Sequence, residues 1–144
     1  MIREAQSPDL EGLLQLYTHL HENPLPDPSP ALFSLWQEIQ SNPRHHILVA
    51  EEGGHIVSSC VCVIIPNLTH EQRPYALIEN VVTDPAYRRQ GLATACLAAA
   101  CQIAQSAGCY KVMLMTGSKK ASTLRFYEKA GFNQNDKTAF IRWL

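Results

Sequence analysis

The stretch "TDPAYRRQGLAT", Thr83 to Thr94, holds residues suited to binding an anion. Arg88 and Arg89 bring two fixed positive charges, and Ala93 adds little bulk. Gly91 can take backbone conformations closed to other residues. A β-rich run from Ile78 to Thr83 enters the stretch and an Ala-rich helical run leaves it, so it joins a strand to a helix. The first turn of a helix carries N–H groups without intrahelical partners and the positive end of the helix dipole. Small residues there let the backbone approach a phosphate closely. An ordinary strand-to-helix turn with a solvated arginine pair would contain the same residues, so the stretch by itself leaves both readings open. Lys119, Lys120 and Arg125 bring further positive charge; with Arg88 and Arg89 they are five of the 12 Lys and Arg residues, which favours a local anion site over a basic field.

A second feature is Glu79, within "YALIENVVT". Strand alternation predicts Leu77, Glu79 and Val81 on one face and Ile78, Asn80 and Val82 on the other. A carboxylate in a nearly continuous apolar strand is costly unless it is paired, hydrated or working. Asn80, on the opposite face, is assigned no role.

Several function classes fall away. No Gly-Lys-Ser/Thr follows the turn, which excludes a P-loop nucleotide enzyme. A formal net charge of −1 provides no basic surface, so no nucleic-acid partner is expected. The five cysteines form no CxxC pair and the six histidines supply no ligand spacing; no metal site is expected, and the cysteines are read as reduced and packed in the core. No apolar run reaches the length of a membrane span and the first residues lack a signal-peptide core, so the expectation is a cytoplasmic protein with no membrane partner.

The elements that must position these residues follow from periodicity and punctuation. "MIREA" reads as a strand, and "SPDLEGLLQLYTHLHEN" as a helix with Ser7 as N-cap, Pro8 at the first helical position and Leu10, Leu13, Leu14, Tyr17 and Leu20 inward. "PLPDPSP" breaks the chain before a second helix, "ALFSLWQEIQ". "HHILVAEE" and "HIVSSCVCVII" flank Gly53-Gly54 as a hairpin, and "PNLTHEQRP" is a polar loop whose Asn67-Leu68-Thr69 sequon is taken as incidental. After the strand "YALIENVVT" and the turn, a helix points Leu92, Cys96, Ala99 and Ile103 inward and stops at Gly108. "CYKVMLM" reads as a buried strand, "SKKASTLRFYEKAG" as a helix capped near Ser118 and stopped at Gly131, and "KTAFIRWL" as a terminal strand. The order β-α-α-β-β-β-α-β-α-β predicts a mixed α/β fold around one sheet, in one domain over residues 1–144.

Arg88-x-x-Gly91-x-Ala93 between a strand and a helix resembles the acetyl-CoA-binding motif of the GNAT N-acetyltransferases, Gln/Arg-x-x-Gly-x-Gly/Ala. "RFYEKAGF", Arg125 to Phe132, resembles the family's Phe-Tyr-x-x-x-Gly-Phe ending of the last long helix, and "IREA…DLEGLLQLY" extends the likeness to the N-terminus. The resemblance implies a mostly antiparallel central sheet flanked by helices and an enzyme that moves an acetyl group from acetyl-CoA to a primary amine in a ternary complex. It implies that the backbone of Val81, Val82 and Thr83 bonds the pantetheine arm at a bulge. The amides of Arg89, Gln90, Gly91, Leu92, Ala93 and Thr94 would then hold the pyrophosphate, with the basic cluster, Arg88 included, near the adenosine 3′-phosphate. Tyr127 is implied as the general acid and Glu79 as the base, directly or through water.

Two positions depart from common members. Lys120 stands where many have an asparagine on the cofactor, and Met115 where amino-sugar and ribosomal-protein acetyltransferases often have a carboxylate. The acceptor, a small-molecule or peptide amine, would be recognised by the first two helices, "PLPDPSP" and "IPNLTHEQRPYA", with His70, Glu71 and Arg73 either lining the entrance or only solvating a loop. A homodimer through the C-terminal strands is a further family-level implication. The alternative reading is a non-catalytic acetyl-CoA-binding module that regulates a partner.

Overall fold

The computed structural model describes residues 1–21 and 23–144. Five strands form one sheet in the order β1-β2-β3-β4-β5: β1 (Ile2–Glu4), β2 (His45–Glu52), β3 (His55–Ile65), β4 (Tyr75–Thr83) and β5 (Val112–Leu114). The first three junctions are antiparallel and β4 with β5 is parallel. The parallel junction requires a crossover, and helix α4 (Leu92–Ser106) supplies it. Helices α1 (Leu10–Tyr17) and α2 (Pro30–Ser41) accompany the opposite face.

Each face of the sheet has its own core. Leu48, Ala50, Cys60, Cys62, Ile64, Ala76 and Ile78 pack against Cys96, Leu97, Ala100 and Ala104 of α4, joined at the margin by Phe126 and Tyr127 of α5 (Ala121–Lys129). On the other face Ile47, Val49 and Val61 meet Leu13 of α1 and Trp36 of α2. The small residues of α4 are what let it lie close to the strands. Its buried stripe is Cys96, Leu97, Ala100 and Ala104; Leu92, Ala99 and Ile103, expected inward, sit half-buried at its edge. Burial pushes the thiols of Cys62 and Cys96 up to about 11, and Cys60 higher still, so they pack as neutral groups.

Local signals explain most boundaries. Gly53 and Gly54 both have positive φ, as the two-residue hairpin requires, and Ser29 caps α2 by accepting from the Leu32 amide at 3.1 Å. Helices α4 and α5 both end in paired bonds beyond a left-handed glycine: Cys109 to Ala104 and Gly108 to Gln105, then Phe132 to Tyr127 and Gly131 to Glu128. The first helix departs from expectation. Ser7 lies inside a 3-10 turn (Ser7–Asp9) whose cap position is Gln6, because the Asp9 carboxylate reaches back to the Gln6 amide at 2.6 Å. The helix also ends at Tyr17, short of the predicted end; Glu22, within the predicted stretch, lies outside the described residues.

Three further corrections concern the second half. The cap position of α5 is Lys120, because the Ser118 hydroxyl is turned to the Lys120 amide at 3.3 Å and to Thr123 at 3.1 Å ahead of the helix. β5 is three half-buried residues rather than a long buried strand. "KTAFIRWL" is not a strand: residues 137–144 are all exposed and lie outside the sheet. With β5 an edge so short, the chain offers little ladder for a sixth strand from its own tail.

Candidate functional site

The site begins where the sheet stops being regular. Asn80 has φ +52° in mid-strand. The β3–β4 register slips there, pairing Val61 with Glu79 but Ser59 with Val82, so Cys60 alone opposes Asn80 and Val81. This is a β-bulge, which bends a strand and frees backbone groups from the ladder. It also overturns the simple alternation. Directly opposed residues share a face, so Glu79 lies on the α1–α2 side with Val61, whereas Val81 packs into the α4-side core with Ile78.

β4 pairs with β5 only from Ala76 to Ile78. Past Ile78, the edge of β4 from Glu79 to Thr83 has no strand beside it among the described residues. β5 ends where this pairing ends, so β4 runs on past it with an unused strand edge, a surface suited to an extended polar ligand.

That open edge leads into a loop built by specific contacts. Asp84 accepts from the Ala86 amide at 2.8 Å and its carbonyl from Tyr87 at 2.9 Å, starting the 3-10 turn Pro85–Tyr87. The Arg88 Nε reaches the Thr83 carbonyl at 3.4 Å, folding that side chain onto the strand end. Arg89 and Gly91 both have positive φ, +62° and +78°. A Cβ at Gly91 would meet nothing within 4 Å, so conformation, not crowding within the chain, is what demands glycine. The first helical bond of α4 runs from the Ala95 amide to the Gly91 carbonyl at 2.9 Å. The amides of Leu92, Ala93 and Thr94 are therefore the orphan donors of the helix start, beside a nest of left-handed residues.

Ser58 secures this end from beneath. Its hydroxyl, fully buried, donates to the Val82 carbonyl at 3.0 Å and bonds the Thr83 hydroxyl at 2.7 Å. Sequence reasoning passed over it; the signal was a Ser-Ser pair inside an apolar strand. Ser59, on the α1 side, is equally buried, and its hydroxyl and that of Tyr17 have no hydrogen-bond partner of good geometry among the described residues although they neighbour one another.

Tyr127 is half-buried on α5, edge-on to Phe126 with ring centroids 5.0 Å apart. Burial, with a smaller contribution from nearby Cys60, raises its phenol above the usual tyrosine value, so the hydroxyl is a proton donor at neutral pH. Tyr127 packs against the α4-side core that contains Cys60, the residue opposite the bulge. Glu79 is exposed at the bulge. Exposure to solvent therefore relieves the cost expected of a carboxylate in this strand. Arg89, Lys119, Lys120 and Arg125 are all exposed.

The loop after β3 has a different attachment. Its one-turn element α3 (Thr69–Gln72) is left-handed at His70, Glu71 and Gln72. His70 stacks on Tyr110 at 3.9 Å, and Arg73 donates to the Gly108 and Cys109 carbonyls at 3.1 Å each. Asn67 ties the loop shut through Thr69 and Arg73. Arg73 thus fastens the loop to the turn that follows α4, and both it and His70 are engaged at the connection into β5. A separate groove of about 750 Å³, bordered by His19, His55, Asp84 and Tyr87, does not include Glu79, Tyr127 or Gly91. Among the described residues no group of three or more His, Cys, Asp or Glu side chains could hold a metal ion, and no helix is long and apolar enough to cross a membrane.

Comparison with known proteins gives consistent relatives. The Acetyltransferase (GNAT) family matches residues 10–132. A glucosamine 6-phosphate N-acetyltransferase from Trypanosoma brucei brucei is 35% identical over 141 residues, covering 94% of this chain and 90% of that protein. Among solved structures, an acetyltransferase from Agrobacterium tumefaciens superposes with a TM-score of 0.91 at 40% identity, covering 99% of both chains. A transcriptional regulator from Bacillus halodurans superposes with a TM-score of 0.87 at 28% identity, again over 99% of both.

Proposed function

Because this chain belongs to the GNAT acetyltransferase family, we propose that it moves an acetyl group from acetyl-CoA to a primary amine, both substrates being bound together. The observation that carries this reading is the bulge at Asn80 beside the open edge of β4, which runs directly into the amide-rich loop before α4. An extended ligand lying along that edge would pair with the backbone of Val81, Val82 and Thr83. Its phosphates would meet the amides from Arg89 to Thr94, with Arg88 and Lys120 nearby to offset charge. Bound acetyl-CoA supplies an activated acyl group and leaves as the free thiol. The chain's own residues handle protons. Glu79, hydrated at the bulge, takes up the proton of the incoming amine through water. Tyr127, kept protonated by burial, donates to the leaving sulfur. The protein works as one domain over residues 1–144, in the cytoplasm.

The first acceptor to test is an amino-sugar phosphate, since a relative similar over nearly the whole chain is a glucosamine 6-phosphate N-acetyltransferase. The experiment incubates the protein with acetyl-CoA and a panel of amino sugars, aminoglycosides and peptide amines, and follows thiol release. Release above background with one amine, together with the acetylated product by mass, supports the reading. Binding of CoA with no release across the panel favours the second reading, a non-catalytic acetyl-CoA-binding regulator, which the similarity to a transcriptional regulator brings into consideration. No binding of CoA at all refutes both.

A further inference from the structure

Among the described residues, two buried side-chain oxygens have no hydrogen-bond partner of good geometry: the hydroxyls of Tyr17 and Ser59. Ser59 is fully buried in β3, opposite Val49 on one side and Val82 on the other. Val49 belongs to the core beneath α1 and α2, and Tyr17, the last residue of α1, packs against that same core. The two hydroxyls are neighbours, and burial keeps the Tyr17 phenol above its usual value. Each carries one proton to donate. A bond between them would use one proton, and the other would still lack an acceptor. Alanine and phenylalanine would fill the same space without that cost. The pair therefore calls for a third polar group, and an ordered water with two to four partners is what such a buried site takes.

The pair lies next to the proposed site of proton uptake. Val61, two residues from Ser59 on the same face of β3, is directly opposite Glu79. Ser59 is thus the diagonal neighbour of Glu79, about 7–8 Å away across the ladder. A glutamate side chain and one water can close that span. The bulge makes room for them. One residue separates Ser59 from Val61, whereas two separate their partners Val82 and Glu79, which spreads this face of β4 apart beside Ser59. Tyr17 is also held in place at the end of its helix. The Leu20 amide and the Asn23 side chain both donate to its carbonyl, at 2.9 and 3.1 Å.

We propose that Tyr17 and Ser59 are positioning residues for proton transfer at Glu79. Their hydroxyls hold one water, and that water, bonded in turn to the Glu79 carboxylate, lines it up with the incoming amine. As the amine nitrogen bonds to the acetyl carbon, its N–H bond breaks. The proton passes to the water, and a proton of the water passes to Glu79. The two hydroxyls neither gain nor lose a proton. This role rests on the acetyl-transfer reading.

The test has a structural and a kinetic arm. A high-resolution crystal structure should show a water within hydrogen-bond distance of both hydroxyls and of Glu79; hydroxyls bonded to protein groups alone overturn the proposal. With an amine that the parent acetylates, Ser59→Ala and Tyr17→Phe should each lower kcat about tenfold. The KM for acetyl-CoA and the Tm should change little. A purely structural pair gives the reverse, a lower Tm with parental kcat. In the Glu79→Gln background, adding Ser59→Ala should lower kcat no further, whereas independent, multiplying losses overturn the role. Should Ser59→Ala fail to fold, Tyr17→Phe, which keeps the ring, carries the same comparison. A parent that acetylates no amine refutes the acetyl-transfer reading and this role with it. A working parent whose two single variants keep its kcat refutes this role alone.

Discussion

At Tyr127 one ring does two jobs: its face fills the margin of the α4-side core while its hydroxyl remains a donor. Because the folded phenol titrates above the usual value of about 10, the protonated form is present below that raised value and is lost as pH rises through it. The alkaline limb of kcat should therefore lie above pH 10, and Tyr127→Phe should abolish that limb while lowering kcat about 100-fold. Steady-state kinetics from pH 6 to 11 check this, with the KM for acetyl-CoA nearly unchanged. In the proposed mechanism Glu79 takes up the other proton. Glu79→Gln should slow turnover about 100-fold at neutral pH and less at high pH, where the amine is already unprotonated. A variant whose pH–rate profile overlays the parent's would remove Glu79 from the mechanism.

At the scale of elements, the loop before α4 works through backbone conformation. Gly91 at φ +78° sets the angle at which three orphan amides leave the helix. A β-branched side chain there strains the backbone by roughly 1–2 kcal/mol, whereas asparagine visits this region readily. Gly91→Val should thus weaken CoA binding about tenfold, and Gly91→Asn should remain close to the parent; titration calorimetry with CoA tests the ordering. The arginines should contribute less than their charge suggests. Arg88 is turned back onto Thr83 and Arg89 is solvated, so single alanine substitutions should raise the CoA Kd only a few-fold, and less at high salt.

At the scale of the molecule, a small polar clamp joins parts distant in sequence. Arg3 on β1 holds Asp9 with two bonds of 2.6 and 2.9 Å, and Glu51 at the end of β2 at 2.6 Å. The Arg3 guanidinium keeps the Asp9 carboxyl below the usual carboxylate range. A carboxyl whose folded pKa is lowered contributes stability above its unfolded value near 3.9 and loses it as pH falls through the folded value. Asp9→Asn should lower stability by about 1–2 kcal/mol at pH 7. The gap to the parent should narrow below pH 4, as urea unfolding at pH 7 and pH 3 would show.

Much of this architecture was legible in the residues. The hairpin, the glycine stops and the strand–turn–helix around Gly91 rest on local chemistry, since each depends on φ or on an unpaired amide within a few positions. The bulge was expected only through the resemblance and not from the residues themselves, because it is a register slip between β3 and β4 and so a property of two strands; its consequence, that Val81 lies on the opposite face from Glu79, ran against the expected alternation. Ser58 acquired its role from Val82 and Thr83, 24 and 25 residues away. His70 and Arg73 found partners at Tyr110 and in the turn after α4 in the same way. The tail shows the division most plainly. Its strand-forming pattern lies in the sequence, but a strand exists only when a neighbouring edge accepts its hydrogen bonds, and among the described residues no edge pairs with it.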